Sequence, residues 1–186
     1  MLGSLIVDNF GVNPDRVSIR KRVCKGTSHL LQINCSFLGR ILWLLGAPVG
    51  NKTKVAFDLP NWVRGKENLK RRFLQALLED ELTTIKIEKC SYSVSPRLKL
   101  AKNDILIDSL RDFMQQVKIA IESFGVGCGS LSKVVQTDYS PEIYFHINRN
   151  KKNILRFQNN IGFRLNQGKI AKLQECCSVI RKSLSR

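Results

Sequence analysis

Histidine is scarce in this chain of 186 residues, which carries only His29 and His146, and no two of its six cysteines form a C-x-x-C pair. That combination argues against a zinc site, whose ligands come in closely spaced Cys and His pairs. Cys24, Cys35, Cys90 and Cys128 are scattered singly and Cys176 and Cys177 are adjacent, the usage expected of small buried apolar residues in an intracellular protein. Long apolar runs are also missing. The stretch from Ile41 to Leu45 falls far short of the roughly 20 residues that span a bilayer. Met1 to Phe10 has neither a basic leader nor a small-residue cleavage site, so a cytoplasmic location is expected. No glycine-rich phosphate loop or dinucleotide-binding fingerprint occurs. Acidic residues are few: 15 Asp and Glu stand against 31 Lys and Arg.

What is present is enough apolar material for a core, 43% of the chain, and a formal surplus of +16. A charge of that size on so short a chain attracts polyanions, and nucleic acid is the first partner it implies. Alternating or β-rich stretches at Val17–Cys24, Leu30–Cys35, Thr84–Val94, Arg97–Ala101, Leu131–Thr137 and Ile143–Ile147 predict strands. Helical periodicity predicts helices over Phe37–Leu45, Glu67–Asp80, Asp104–Ser123, Lys152–Asn160 and Ile170–Leu184. The third is the clearest, with Ile105, Leu106, Leu110, Phe113, Val117, Ala120 and Ile121 on one face.

The chain also matches itself. Phe10-Gly11-Val12 recurs as Phe124-Gly125-Val126, and Leu31-Gln32-Ile33-Asn34 recurs in chemical type as Phe145-His146-Ile147-Asn148, both at an offset of about 114 residues. After a slip of two or three residues, Leu45-Gly46 answers Ile161-Gly162, and Gly50-Asn51-Lys52 answers Gln167-Gly168-Lys169. The pattern predicts an internal duplication. Residues 1–58 form a partial first repeat and residues 59–186 a complete second one, the first lacking its opening helix and first hairpin.

Leu59-Pro60-Asn61-Trp62-Val63, a basic stretch, and then Phe73-Leu74-Gln75-Ala76-Leu77-Leu78-Glu79-Asp80-Glu81 resemble the second signature block of the LAGLIDADG, or dodecapeptide, homing endonucleases. Flanking blocks strengthen the resemblance: Gly46-Ala47-Pro48-Val49-Gly50-Asn51-Lys52 before it, and Asn153-Ile154-Leu155-Arg156-Phe157 with Ile161-Gly162-Phe163 after it. Together they cover roughly Phe10 to Leu173. The resemblance implies an α+β fold in which each half is an α-β-β-α-β-β-α unit and its antiparallel strands form a saddle over the DNA major groove. It also implies that two signature helices pack through small residues, and that an acidic residue at each helix end holds Mg²⁺ at the scissile phosphates.

This chain departs from that pattern. Ala76 stands at the motif glycine, Asp80 at the second small position, Glu81 at the metal-binding aspartate and Leu82 at the following glycine. The extra methylene of Glu81 shifts its oxygens by about 1.5 Å, and a displacement of that order costs on the order of 10²-fold in rate. The family's basic residue of each half falls on Lys52 and Lys169. The resemblance therefore assigns catalytic roles to Glu81, Lys52 and Lys169, and Mg²⁺ binding to Glu81. Phe73, Ala76, Leu77 and Asp80 are expected to form a helix interface without a partner in the chain, to be met by a second copy or a second chain.

Strand alternation nominates the DNA contacts. They are Arg20 and Arg22 in the first repeat and Lys86, Lys89, Arg97, Lys99, Lys102 and Lys133 in the second, with Gln32, Asn34, Gln136, His146 and Asn148 placed for base reading. The expected function is double-stranded DNA binding with cleavage impaired or dependent on a second chain. The alternatives are an active Mg²⁺-dependent site-specific endonuclease, and a regulator or maturase-like RNA-splicing protein that only binds. Inteins are common in the family, but the ends Met1 and Leu184-Ser185-Arg186 offer neither a terminal nucleophile nor an Asn, so self-splicing is not expected.

Overall fold

The computed structural model describes residues 8, 11–24, 26–83, 96–138 and 140–184, with the main chain alone at 19–24 and 26–31. It divides into two compact units, Met1–Ala47 and Pro48–Arg186.

In the first unit, β1 (Val17–Cys24) and β2 (Gly26–Ile33) form an antiparallel hairpin, followed by helix α1 (Ser36–Leu44). Asn13 and Pro14 open the unit's 3-10 turn, the Asn13 side chain accepting the Asp15 N–H at 3.0 Å. The register sets Ser18 opposite Gln32, Arg20 opposite Leu30 and Arg22 opposite Ser28, so the row expected to meet DNA is shared by both strands. The Asn34 N–H donates to the Arg16 carbonyl at 2.8 Å and carries the ladder past Ile33.

The second unit contains helices α2 (Asn61–Gly65), α3 (Glu67–Glu81), α4 (Ile107–Glu122), α5 (Lys151–Asn160) and α6 (Gln167–Leu184), and strands β3 (Arg97–Ala101) and β4 (Glu142–His146). α4 buries Leu110, Phe113, Met114, Val117, Ala120 and Ile121, the spacing of a core-facing stripe. Ile105, expected on that stripe, is 90% exposed because Asp104–Leu106 forms a 3-10 turn ahead of the helix and leaves its phase. β3 and β4 pair antiparallel, Leu98 facing Phe145 and Leu100 facing Ile143 on the core side, while Arg97 faces His146 and Lys99 faces Tyr144 on the other. The buried residues of α2, α3, α4, α5 and α6 share one core with this sheet.

Leu131–Thr137 does not form the expected strand. Gly129, Ser132 and Val135 donate in turn to the carbonyls of His146, Tyr144 and Glu142, so this lane advances three residues for every two of β4. Each step carries an extra residue, as in successive bulges, and a regular ladder cannot form. The strand expected at Thr84–Val94 lies outside the described residues.

Glycines at the matched repeat positions share a backbone conformation. Gly11 and Gly125 have φ of 60° and 73°, and Gly46 and Gly162, which follow α1 and α5, have φ of 92° and 63°. The latter two are helix-terminating turns: Gly46 donates to the Trp43 carbonyl and Gly162 to that of Phe157, each at 2.8 Å. The packing boundary falls ahead of residue 58. The segment 48–58 belongs to the second unit, where Phe57 packs edge-on against Phe113 with ring centroids 4.9 Å apart.

Candidate nucleic-acid interface

The end of α3 is the centre of the candidate site, and two reciprocal contacts fix it. Glu79 is buried, and its Oε1 accepts the backbone N–H groups of Arg164 and, at 2.7 Å, Leu165. In return Lys169 Nζ donates to the carbonyls of Glu79 at 2.6 Å and Leu82 at 2.7 Å, with a longer approach to Leu78 at 3.5 Å. The Leu78 carbonyl also accepts the Leu82 N–H, whereas those of Glu79 and Leu82 lie at the helix C-terminus, where carbonyls go unpaired and a cation is also favoured by the helix dipole. Burial pulls the Lys169 pKa down, opposed by the charges of Asp80, Glu79 and Glu81. An ammonium has three donors, and its two close acceptors here are both main-chain carbonyls. Lys169, expected at the cleavage site as a catalytic residue, is thus a positioning residue in this structure.

Glu81, one turn beyond Leu78, points into a cleft of about 200 Å³ whose polar lining includes Lys52, Thr53, Lys99, Lys102 and Glu142. Lys52 Nζ lies 2.6 Å from Glu81 Oε1, the lysine side chain 63% exposed and the carboxylate 24%. The structure therefore brings together two of the three residues to which the resemblance gives catalytic roles. Asn51 shapes the loop behind Lys52 by accepting the Thr53 N–H at 3.0 Å and the Thr53 hydroxyl at 2.8 Å. The loop is then clamped from below. Lys102 Nζ donates to the carbonyls of Lys52, at 2.6 Å, and Val55, and sits 3.7 Å from the centroid of the Phe57 ring. Lys102 is 2% exposed, and burial, with the neighbouring Lys52 charge, lowers its pKa. Its expected DNA contact is overturned, because the carbonyls that stabilise the buried ammonium are the very groups that keep it from the surface.

Beside the cleft, the solvent side of the β3–β4 sheet carries Arg97, Lys99, Glu142, Tyr144 and His146, alternating with buried Leu98, Ile143 and Phe145. The Arg97 guanidinium lies 5.1 Å from the Tyr144 ring centroid, and the Tyr144 and His146 rings meet edge to face at 5.5 Å. Lys99 pairs with Glu142 at 2.9 Å. Of the residues nominated by alternation, Arg97, Lys99 and His146 thus share one face. Lys133, Gln136 and Asn148 are exposed on the loops that flank it, with Gln136 donating to Asp104 at 3.4 Å. In the first unit, Gln32 donates to Asn34 at 3.2 Å, and Arg20 and Arg22 hold the register positions given above. Lys86 and Lys89 lie outside the described residues.

Tyr144 and Glu142 escaped sequence reasoning although their alternation with Ile143 and Phe145 marks the same strand face. Glu79 and Asn153 escaped it because their partners are backbone groups distant in sequence. The helix stripe is also partly covered: Phe73 meets Trp62 edge-on at 6.2 Å and, with Leu77, borders the unit's own core, whereas Ala76 and Asp80 are exposed. The expectation of no partner within the chain is therefore corrected for its two largest members.

Among the described residues no group of three or more His, Cys, Asp or Glu side chains could hold a metal ion. Glu81 supplies hard oxygen, but Lys52 is bound to it, and three lysines line the cleft against two carboxylates. These residues suit an ion-paired carboxylate and do not by themselves fit Mg²⁺, which needs several oxygen ligands and an excess of negative charge. Cysteine chemistry is equally disfavoured at Cys128 and Cys177, whose thiols burial pushes up to about 12 and about 11. Among the described residues no helix is long and apolar enough to cross a membrane.

No protein-family model matches the chain. It is similar to parts of three archaeal proteins. Against the DNA-directed RNA polymerase subunit Rpo1N of Methanocaldococcus jannaschii it is 32% identical over 109 residues, 58% of this chain and 8% of that protein. Against the replication factor C small subunit of the same organism it is 28% identical over 154 residues, 82% of this chain and 8% of that protein. The third similarity, to the tRNA-splicing ligase RtcB of Methanopyrus kandleri, is 28% over 104 residues, 55% of this chain and 10% of that protein. The matched part is thus a tenth or less of the length of each relative.

Proposed function

We propose that this chain binds double-stranded DNA as a member of the LAGLIDADG homing-endonuclease class, with cleavage impaired or dependent on a second chain. The observation that carries the reading is the junction at the end of α3: the acidic end of the signature helix meets Lys52 at 2.6 Å, beside a strand face bearing Arg97 and His146. The shared positive φ at Gly11 and Gly125, and at Gly46 and Gly162, supports the duplication that the class requires. The relatives support it from another side. An RNA polymerase subunit, a replication factor C subunit and a tRNA-splicing ligase have different names, yet a small fraction of each resembles this one chain. Such a pattern fits a module separable from the rest of each protein, as in a class some of whose members travel within host proteins.

Cleavage is impaired because the two carboxylates that the cleft offers a metal, Glu81 and Glu142, are each held by a lysine. A homodimer or a second chain docked on Ala76 and Asp80 would bring in the complementary carboxylate and complete a Mg²⁺ site. Two experiments test the reading. If about 6 to 10 phosphates are neutralised, log K for duplex DNA falls with log salt at about 0.9 per contact, and an affinity that hardly changes between low and moderate salt refutes it. Supercoiled plasmid incubated with the isolated chain and Mg²⁺ is expected to remain uncut. Efficient double-strand cleavage that disappears in Glu81→Gln would instead establish an active endonuclease.

A further inference from the structure

From Ile143 to Gln174 the chain contains no Asp or Glu, yet it contains Arg149, Lys151, Lys152, Arg156, Arg164, Lys169 and Lys172. Two of these are committed: Lys169 to the end of α3 and Lys151 to the Ser183 hydroxyl at 2.9 Å. Arg149, Lys152 and Arg156 are different. Lys152 and Arg156 lie one turn apart on the outer side of α5 and Arg149 sits just ahead of its N-cap Asn150, all three exposed, and none forms an ion pair among the described residues. The inner side of the helix buries Asn153, Ile154 and Phe157, which fixes its rotation and keeps the cations outward. Lys152 and Arg156, four residues apart on the helix, are separated by about 6 Å along its axis. Unpaired like charges that close together repel one another, and nothing in the fold of the second unit is gained by their alignment.

We propose that Arg149, Lys152 and Arg156 form a phosphate-binding row that grips the backbone of nucleic acid irrespective of sequence, separately from the β3–β4 strand face. The inference rests on the DNA-binding reading and adds a site to it. The strand face carries little net charge of its own, since Lys99 is paired with Glu142. The row supplies the cations that face lacks. Contacts from its residues to phosphate contribute affinity and salt dependence without specificity.

The test compares the triple variant Arg149→Gln, Lys152→Gln, Arg156→Gln with a charge-matched control, Arg16→Gln, Arg40→Gln, Lys66→Gln, whose three cations are also exposed. Circular dichroism establishes that both variants are folded, and fluorescence anisotropy follows binding to a random-sequence duplex over a range of salt. The row variant is expected to lose about 2 to 3 in the slope of log K against log salt and at least roughly tenfold in affinity, and the control less than about 1 in slope. Equal losses in the two variants would mean that net charge alone acts, and would overturn the proposal, as would an unchanged slope in the row variant. Selection of preferred sites from a randomised duplex pool by the unmodified protein tests the DNA-reading function by itself. Absence of any preferred site would sink that reading while leaving a slope difference between the variants as evidence for the row.

Discussion

Asn153→Leu is expected to lower the unfolding free energy by on the order of 4 kcal/mol, a large fraction of the stability of a domain this size. Asn153 is 4% exposed and ties three places together at the start of α5. Its Oδ1 accepts the Gly127 N–H at 2.6 Å, and its Nδ2 donates to the carbonyls of Gly127 at 2.9 Å and Asn148 at 2.8 Å. Leucine keeps the branching and heavy-atom count of asparagine, so no cavity opens, while its wider methyls add some overpacking to the loss of the polar contacts. The Gly127 carbonyl keeps the Asn148 N–H at 2.9 Å, so the Gly127 N–H and the Asn148 carbonyl are the groups that lose a partner, each at a cost of about 1 to 3 kcal/mol. Space is short there too: a Cβ on Gly127 would lie 3.0 Å from Asn148 Nδ2 and 3.4 Å from Asn153 Oδ1. Urea denaturation measures the effect, and a midpoint within error of the unmodified protein would show that water replaces the three bonds. Because Asn148 is one of the residues nominated for base reading, DNA affinity should fall with stability in this variant.

Lys169→Met is expected to cost on the order of 3 kcal/mol, by leaving the carbonyls of Glu79 and Leu82 without their donor. Methionine keeps the length and apolar stem of the lysine, including its approach to the Phe163 ring, which the ammonium now overlooks at 5.9 Å. The informative comparison is Lys52→Met, which breaks a pair whose lysine is 63% exposed. Solvent-exposed ion pairs contribute only about 0 to 1 kcal/mol. The two lysines that the repeat makes equivalent should therefore separate. Substitution at 169 lowers the denaturation midpoint, and substitution at 52 leaves it nearly unchanged while weakening duplex binding. If Lys169→Met denatures with the unmodified protein and only DNA binding suffers, the capping role is wrong and Lys169 returns to the phosphate.

Much of the secondary structure was legible because its causes are local. β1 and β3 begin and end where alternation places them, and α3 and α4 follow their apolar periodicity to within a few residues. Periodicity works there because each side chain's environment is set by its position on one element. It failed at Leu131–Thr137, which is rich in β-branched residues but whose hydrogen bonds to β4 are spaced three residues apart. It failed at Ile105 because a single 3-10 turn changes the phase of the residues before α4. The five-residue helix α2 is too short for any periodic signal.

The candidate site divides along the same line. The sequence by itself determined the charge surplus, the two copies of the Phe-Gly-Val turn, the acidic end of the signature-like helix and the lysines at Lys52 and Lys169. It could not rank those lysines or separate them from Lys102, since all three are long basic side chains near turns. Only the tertiary structure decided which of them reach solvent. Lys169 finds its carbonyls 87 to 91 residues away, and Lys102 finds its own 47 and 50 residues away. A buried ammonium persists where main-chain oxygens replace its water. Those oxygens are presented by chain segments brought together in folding, and they belong to residues whose side chains carry no sign of the role. Lys52 keeps its ammonium at the mouth of the cleft because the backbone beneath it is already taken by Lys102.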